Sequence, residues 1–197
     1  ASSSSPPRVR RLACVHRWTD IAKTPESLKP CVVTLGNFDG VHRGHLAVID
    51  QARRIGAAHG LPTVAVTFEP HPIAVLRPHE APDLLTPGPL REDLLEAAGI
   101  DGLLVLDFTT EFAQQSPEDF VRDTFARGLQ AAAVVVGVDT RFGYRNSGDV
   151  STLRDLGDRL GACFGADPRE RDRQQQLVWS HHSCLFGMSR FGGESAG

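Results

Sequence analysis

The chain has 197 residues, 41% of them hydrophobic and 23% charged, with a formal net charge of -3; that suffices for one well-buried domain and is too short for two large ones. Such a slight acidity creates no basic field to steer the protein to nucleic acid or to an anionic membrane, so a small-molecule partner is expected over a polymeric one. Cys14, Cys31, Cys163 and Cys184 lie far apart without a C-x-x-C pair, which reads as reduced structural thiols of a cytoplasmic protein and not as a zinc site.

Residues 1–14, opening A-S-S-S-S-P-P-R-V-R-R, are Ser- and Pro-rich, acid-free and start without Met. They read as a disordered arm of a fragment, with a transit peptide disfavoured because no amphipathic helix is visible. No apolar run approaches the ~20 residues that span a bilayer, so no membrane association is expected. Regularity begins at Cys31-Val32-Val33-Thr34-Leu35, a buried strand, followed by the turn G-N-F-D-G-V-H-R-G-H from Gly36 to His45. A helix then runs from about Gly44 to Ala58 and is ended by Gly60, with Leu46, Ile49, Ala52 and Ile55 at steps of three as its expected buried face. Thr63 to Phe68 is the next strand, which makes a right-handed βαβ unit.

The Pro-rich segments E-P-H-P, R-P-H-E-A-P and T-P-G-P read as a loop leading to a short helix around Leu90 to Ala98 and a third strand from Gly102 to Phe108. Ser116, Pro117, Glu118 and Asp119 start another helix, as N-cap, first helical residue and first-turn acids. Ala131 to Gly137 is a fourth buried strand. Alternation of this kind specifies an α/β domain whose ligands bind at the carboxyl ends of parallel strands. The regularity fails after Leu160, so residues 15–161 are read as the domain and 162–197 as an irregular tail.

The turn at Gly36 to His45 stands where the free N–H groups and positive dipole end of the first helix meet a ligand, which suits phosphate. Glycines at 36, 40 and 44 permit close backbone approach, and His42 and His45 donate without a permanent charge. Neither G-x-G-x-x-G nor G-x-x-x-x-G-K-[ST] is present, which disfavours a dinucleotide dehydrogenase and a P-loop kinase. What is present is H-x-G-H, the nucleotidyltransferase signature.

Three motifs in order carry a resemblance: G-N-F-D-G-V-H-R-G-H; F-E-P-H-P at Phe68 to Pro72; and V-V-V-G-V-D-T-R-F-G at Val134 to Gly143, followed by Y-R-N-S-G-D. From about Val15 to Gly161 the chain resembles the FMN adenylyltransferase (FAD synthetase) domain of bacterial bifunctional riboflavin kinase/FMN adenylyltransferases. The resemblance implies a Rossmann-like nucleotidyltransferase fold, a parallel sheet flanked by helices. It implies ATP and FMN as substrates, Mg²⁺ accompanying ATP, and FAD and pyrophosphate as products. Gly36, Asn37, Phe38, Asp39, Gly40, His42, Gly44 and His45 would bind ATP, with His42 and His45 stabilising the phosphates during transfer. Phe68, Pro70, His71 and Pro72 would line the flavin side, two prolines stiffening the loop. Asp139 would hold hydroxyls or help ligate Mg²⁺, Arg141 would pair with phosphate and Phe142 would pack on a ring; the plainer reading of Asp139 and Arg141 is a solvated salt bridge.

The chain also departs from the family pattern. Thr140 stands where an aromatic residue follows the Asp. The family's Ser-Ser-Thr-x-x-Arg segment is missing between Gly161 and Gly197, where Ser180, Ser183 and Arg190 have the wrong spacing. A shifted reading frame, or a diverged or spliced end, accounts for both the missing segment and the lost regularity. His181-His182 lacks the partners of a metal site and reads as solvated tail. No riboflavin kinase module follows, so riboflavin phosphorylation is not expected. A chain keeping its ATP turn without that segment is alternatively a non-catalytic ATP- or flavin-binding remnant, and another nucleotidyltransferase of the same fold is a sister reading.

Overall fold

Cys31–Leu35 is wholly buried because it pairs on both sides, and a central strand covered on both faces reads as an unbroken apolar run. The computed structural model describes residues 15–81, 83–159, 164–165 and 176–181. The strands are β1 (His16–Trp18), β2 (Cys31–Leu35), β3 (Thr63–Glu69), β4 (Gly102–Asp107), β5 (Ala131–Gly137), β6 (Phe164–Gly165) and β7 (Gln176–His181). They form one sheet in the order β1-β4-β3-β2-β5-β7-β6. The first five are mutually parallel; β7 runs antiparallel to β5, and β6 to β7.

Helices cover both faces: α1 (Arg43–His59), α2 (Pro72–Leu76), α3 (Gly88–Ala97), α4 (Pro117–Phe120) and α5 (Val150–Arg159). The period-two alternation of the strands divides the core. Val33, Leu35, Val64, Val66, Leu104, Val134 and Val136 face the side that carries Phe120, Phe125, Leu153 and Leu156. Val32, Ala65, Leu103, Ala133 and Val135 face α1 and α3. The five strands β1 to β5 make the parallel sheet flanked by helices that the sequence leads one to expect, extended at one edge by antiparallel β7 and β6.

Several elements differ from expectation for identifiable reasons. Leu46 is exposed, while Val48, Ile49, Ala52 and Ile55 form the buried face of α1. A strict step of three falls about 60° short of a full turn each time, so the row drifts around the helix and places Leu46 opposite Ile55. The Pro-rich loop contains α2, with Pro72 at its first turn and His71 as its cap. Ser116 caps α4 as expected, accepting from the Asp119 N–H. Beyond Phe120 the helix widens over Val121–Gly128, closing with Leu129 N–H donating to Thr124 O. α5 and the short edge strand β1 lack a long apolar period and were not expected. β6 and β7 lie in the stretch read as irregular; Leu177, Val178 and Trp179 suit a strand, and only pairing with β5 reveals it. The arm at 1–14, Ser183 and Arg190, His182, and Cys14, Cys163 and Cys184 lie outside the described residues. Cys31 is a buried free thiol whose pKa burial pushes up to about 12, against a small opposing effect of Lys29, which makes it unreactive.

Four phenylalanine rings, Phe68 of β3, Phe125 beyond α4, and Phe112 and Phe142 of the loops after β4 and β5, meet around Phe120 at centroid distances of 5.1 to 6.4 Å. Replacing Phe120 by Ala removes the hub of this face and is expected to cost about 3–5 kcal/mol of stability, read from urea unfolding midpoints with unchanged slope.

Candidate active site

In the order β3-β2-β5 the connections leave β2 in one direction toward β3 and β4 while β5 lies on its other side. That reversal opens a crevice at the carboxyl ends of β2 and β5, and α1 starts in it. The turn between β2 and α1 is tightly wound. Phe38 (φ 52°), Gly40 (φ 71°) and Val41 (φ 37°) occupy left-handed or adjacent backbone space. Glycine does so freely, whereas the two L side chains cost about 1–3 kcal/mol each.

Two features hold the turn there. Phe38, 1% exposed, and Val41 are buried against Ile49, Leu95 and Ile100. The Asp39 carboxylate accepts from Thr86 N–H (2.8 Å), Leu85 N–H (3.2 Å) and the Thr86 hydroxyl (3.0 Å), while Gly40 N–H donates to Thr86 Oγ1 (2.8 Å). Burial pushes the Asp39 carboxyl up, but these hydrogen bonds, with the more distant His71, outweigh it and hold the group below the ordinary carboxylate range. The side chains of Asp39 and Phe38, two of the residues expected to bind ATP, therefore shape the turn. Asn37 has its carbonyl oxygen occupied, accepting from the Thr67 hydroxyl (3.2 Å).

The two histidines stack, with ring centroids 3.7 Å apart at 21°. His42 is the N-cap of α1: its Nδ1 accepts from Gly44 N–H (3.1 Å), which puts the proton of the neutral ring on Nε2. His45 sits edge-on to Phe38 at 5.3 Å, and its Nδ1 is buried without a partner. Burial, and then the neighbouring His42, lower its pKa to about 4, against the opposing charges of Asp139 and Asp39. Both rings thus lie where they can donate to an anion along the start of α1, His45 from its neutral form.

On the other side of the crevice His71 repeats the arrangement of His42. Its Nδ1 accepts from Ile73 N–H (3.2 Å) as the cap of α2. Burial lowers its pKa, with Asp39 opposing and Arg91 assisting. Pro70 and His71 line a cavity of about 180 Å³ together with Glu69, Leu84, Gly88 and Arg91; Pro72 lies one step away as the first residue of α2. Phe68 is half-buried against Phe108 and Phe112, at 5.5 and 5.8 Å.

The third motif divides. Asp139, just beyond β5, is close enough to His45 for its charge to act on it. Arg141 is exposed and donates to Thr140 O (3.1 Å); among the described residues it forms no ion pair with Asp139. Phe142, expected to pack on a ligand ring, is 5% exposed and packs on Phe120 instead. The reason is a bridge: Phe142 and Gly148 exchange backbone hydrogen bonds of 3.0 and 2.9 Å, which turns the ring inward. The fold thus brings the His42/His45 turn, the Pro70-His71 loop and Asp139 to one crevice. Thr86 belongs to the site as the anchor of the turn. No local signal singles it out, because T-P-G-P reads only as a breaker segment and its partner is 47 residues away.

The chain matches the FAD synthetase family over residues 24–180, a span that runs past Leu160 into β7. Relatives similar to it are bifunctional riboflavin kinase/FMN adenylyltransferases. That of Listeria monocytogenes is 39% identical over 142 residues, covering 72% of this chain and 42% of the relative. Those of Escherichia coli K12 and Bacillus subtilis are each 38% identical over 133 residues, covering 66% and 67% of this chain and 42% of the relative. The chain therefore spans about two fifths of the length of the curated relatives it matches. Among solved structures, one described as a macrolide-efflux protein from Streptococcus pneumoniae aligns with a TM-score of 0.63 and 28% identity, over 73% of this chain and 47% of the other. Among the described residues no helix is long and apolar enough to cross a membrane.

A histidine whose folded pKa lies near 4, below the ordinary 6.5, binds fewer protons than in the unfolded chain between those values. Its contribution is fully present above pH 6.5 and is lost as pH falls toward 4. Urea midpoints are expected to fall from pH 7 to pH 4.5, and His45→Gln to fall less steeply over the same window. Thr86→Val removes the hydroxyl that joins Asp39 to Gly40 and is expected to cost about 1–3 kcal/mol, measured by the same unfolding.

Proposed function

The chain belongs to the FAD synthetase family, and from that membership we propose that it makes FAD by transferring the adenylyl group of ATP to FMN. The supporting observation is the crevice itself, where two stacked histidines at the open end of a helix face the Pro70-His71 loop across a turn pinned by Asp39. In this reading an oxygen of the FMN phosphate attacks the α-phosphorus of ATP, a new P–O bond forms, and the bond to the β-phosphate breaks as pyrophosphate leaves with the electron pair. Such a transfer depends on alignment and charge stabilisation more than on a covalent nucleophile.

The residues divide the work accordingly. The amides at the start of α1 and the Nε2–H of His42 take phosphate oxygens. His45 is neutral when the site is empty, and phosphate charge brought against it favours its protonated form. It can therefore meet the growing charge with a stronger donor. Pro70 and His71 wall the acceptor side. Mg²⁺ accompanying ATP would supply charge neutralisation on the phosphate oxygens. Among the described residues no three His, Cys, Asp or Glu side chains converge on a metal-sized site, which suits an ion carried mainly by the nucleotide and water, with Asp139 the carboxylate available to it.

Incubating the purified chain with FMN, ATP and Mg²⁺ is expected to yield FAD, resolved from FMN by chromatography. His45→Ala is expected to lower the rate by ~10²-fold or more; a chain that binds both substrates and forms no FAD would overturn the reading.

A further inference from the structure

Arg91, the fourth residue of α3, is 3% exposed, and a guanidinium stays charged wherever it is placed. Burying it is costly unless it is partnered. Its Nη1 lies 3.5 Å from the Asn37 carbonyl oxygen and its Nη2 lies 3.5 Å from Glu69 Oε2, while its Nε is buried with no partner. Those two neighbours belong to different motifs: Asn37 to the turn before α1, Glu69 to the loop E-P-H-P. Glu69 is held from further sides as well. Arg17 Nη2 is 4.0 Å from it and is itself anchored by Glu92, one residue along α3, at 2.6 Å. Gly88, at the start of α3, lets the carboxylate lie against the helix, where an added Cβ would stand 3.1 Å from Oε1.

We propose that Arg91 is a positioning residue, a buried strut that sets the separation between the nucleotide-binding turn and the acceptor-side loop and thereby the alignment of the transfer. The proposal rests on the adenylyl-transfer reading above. The planar fork reaches two partners in different directions at once, which a lysine ammonium on a flexible stem does not reproduce. With Nε unsatisfied, the residue is a poor choice for stability alone, since an apolar side chain of similar volume would avoid the desolvation. What it contributes is a fixed distance, and a displacement of about 1 Å between reacting groups can cost ~10²-fold in rate.

The test uses the full chain. Arg91→Met is expected to lower kcat by ~10- to 100-fold with KM for ATP and for FMN each within about threefold, and Arg91→Lys to recover part of the loss. Glu69→Ala removes the acceptor at the other end of the strut, so the double variant is expected to be no slower than the slower single one. An unchanged kcat in Arg91→Met, a loss confined to one KM, or additive effects in the double variant would each overturn the proposal. Hydrogen exchange without substrates gives an arm independent of catalysis: in Arg91→Met the amides of 36–41 and of 71–76 are expected to exchange at least about tenfold faster together, with β4 and β5 unchanged. Acceleration in only one segment, or throughout the sheet, overturns the strut. If the parent chain forms no FAD, the transfer reading fails on its own and the exchange arm decides.

Discussion

The geometry of the site depends on one carboxylate, that of Asp39. Asp39 gathers three hydrogen bonds from Thr86 and Leu85, and in doing so it pins a loop from beyond α2 onto the turn before α1. Without such an anchor, the left-handed conformations of Phe38 and Val41 would relax, because nothing local favours them. With it, the turn ends at His42 in extended geometry, and α1 begins with its open amides toward the crevice.

From this anchor the electrostatics follow. The crevice has histidines rather than lysines at the start of α1, and burial keeps His45 uncharged. A pair of stacked cations at 3.7 Å would repel strongly in a partly buried site, and an uncharged His45 avoids that repulsion. His42 and His71 each use Nδ1 to cap a helix, which orients both rings with the remaining N–H outward. Each ring thus spends one nitrogen on its helix cap and leaves the other to meet a ligand in the proposed reading.

Much of this was legible in sequence because it is local. The buried strands, the turn, the capping Ser116 and the alternation of strands and helices each depend on neighbours within a few residues. The histidine turn could be placed at a helix start from its own spacing. Phe142 shows the limit. An aromatic residue after an Asp and an Arg looks the same in sequence whether it faces a ligand or the core, and only the bridge to Gly148 decides. Leu46 shows another, since a short run at steps of three does not reveal which part of a drifting stripe meets the sheet.

The sequence by itself determined the α/β class, the central strands, the phosphate-type turn and the family, because these rest on period, composition and contiguous motifs. Only the tertiary structure decided which side chains of those motifs face the crevice. It also assigned Asp39 to holding the turn, and brought Thr86 and Arg91, which belong to no motif, against the turn from about fifty residues away. Such contacts are set by how helices dock on a sheet, and no local pattern encodes a partner at that separation.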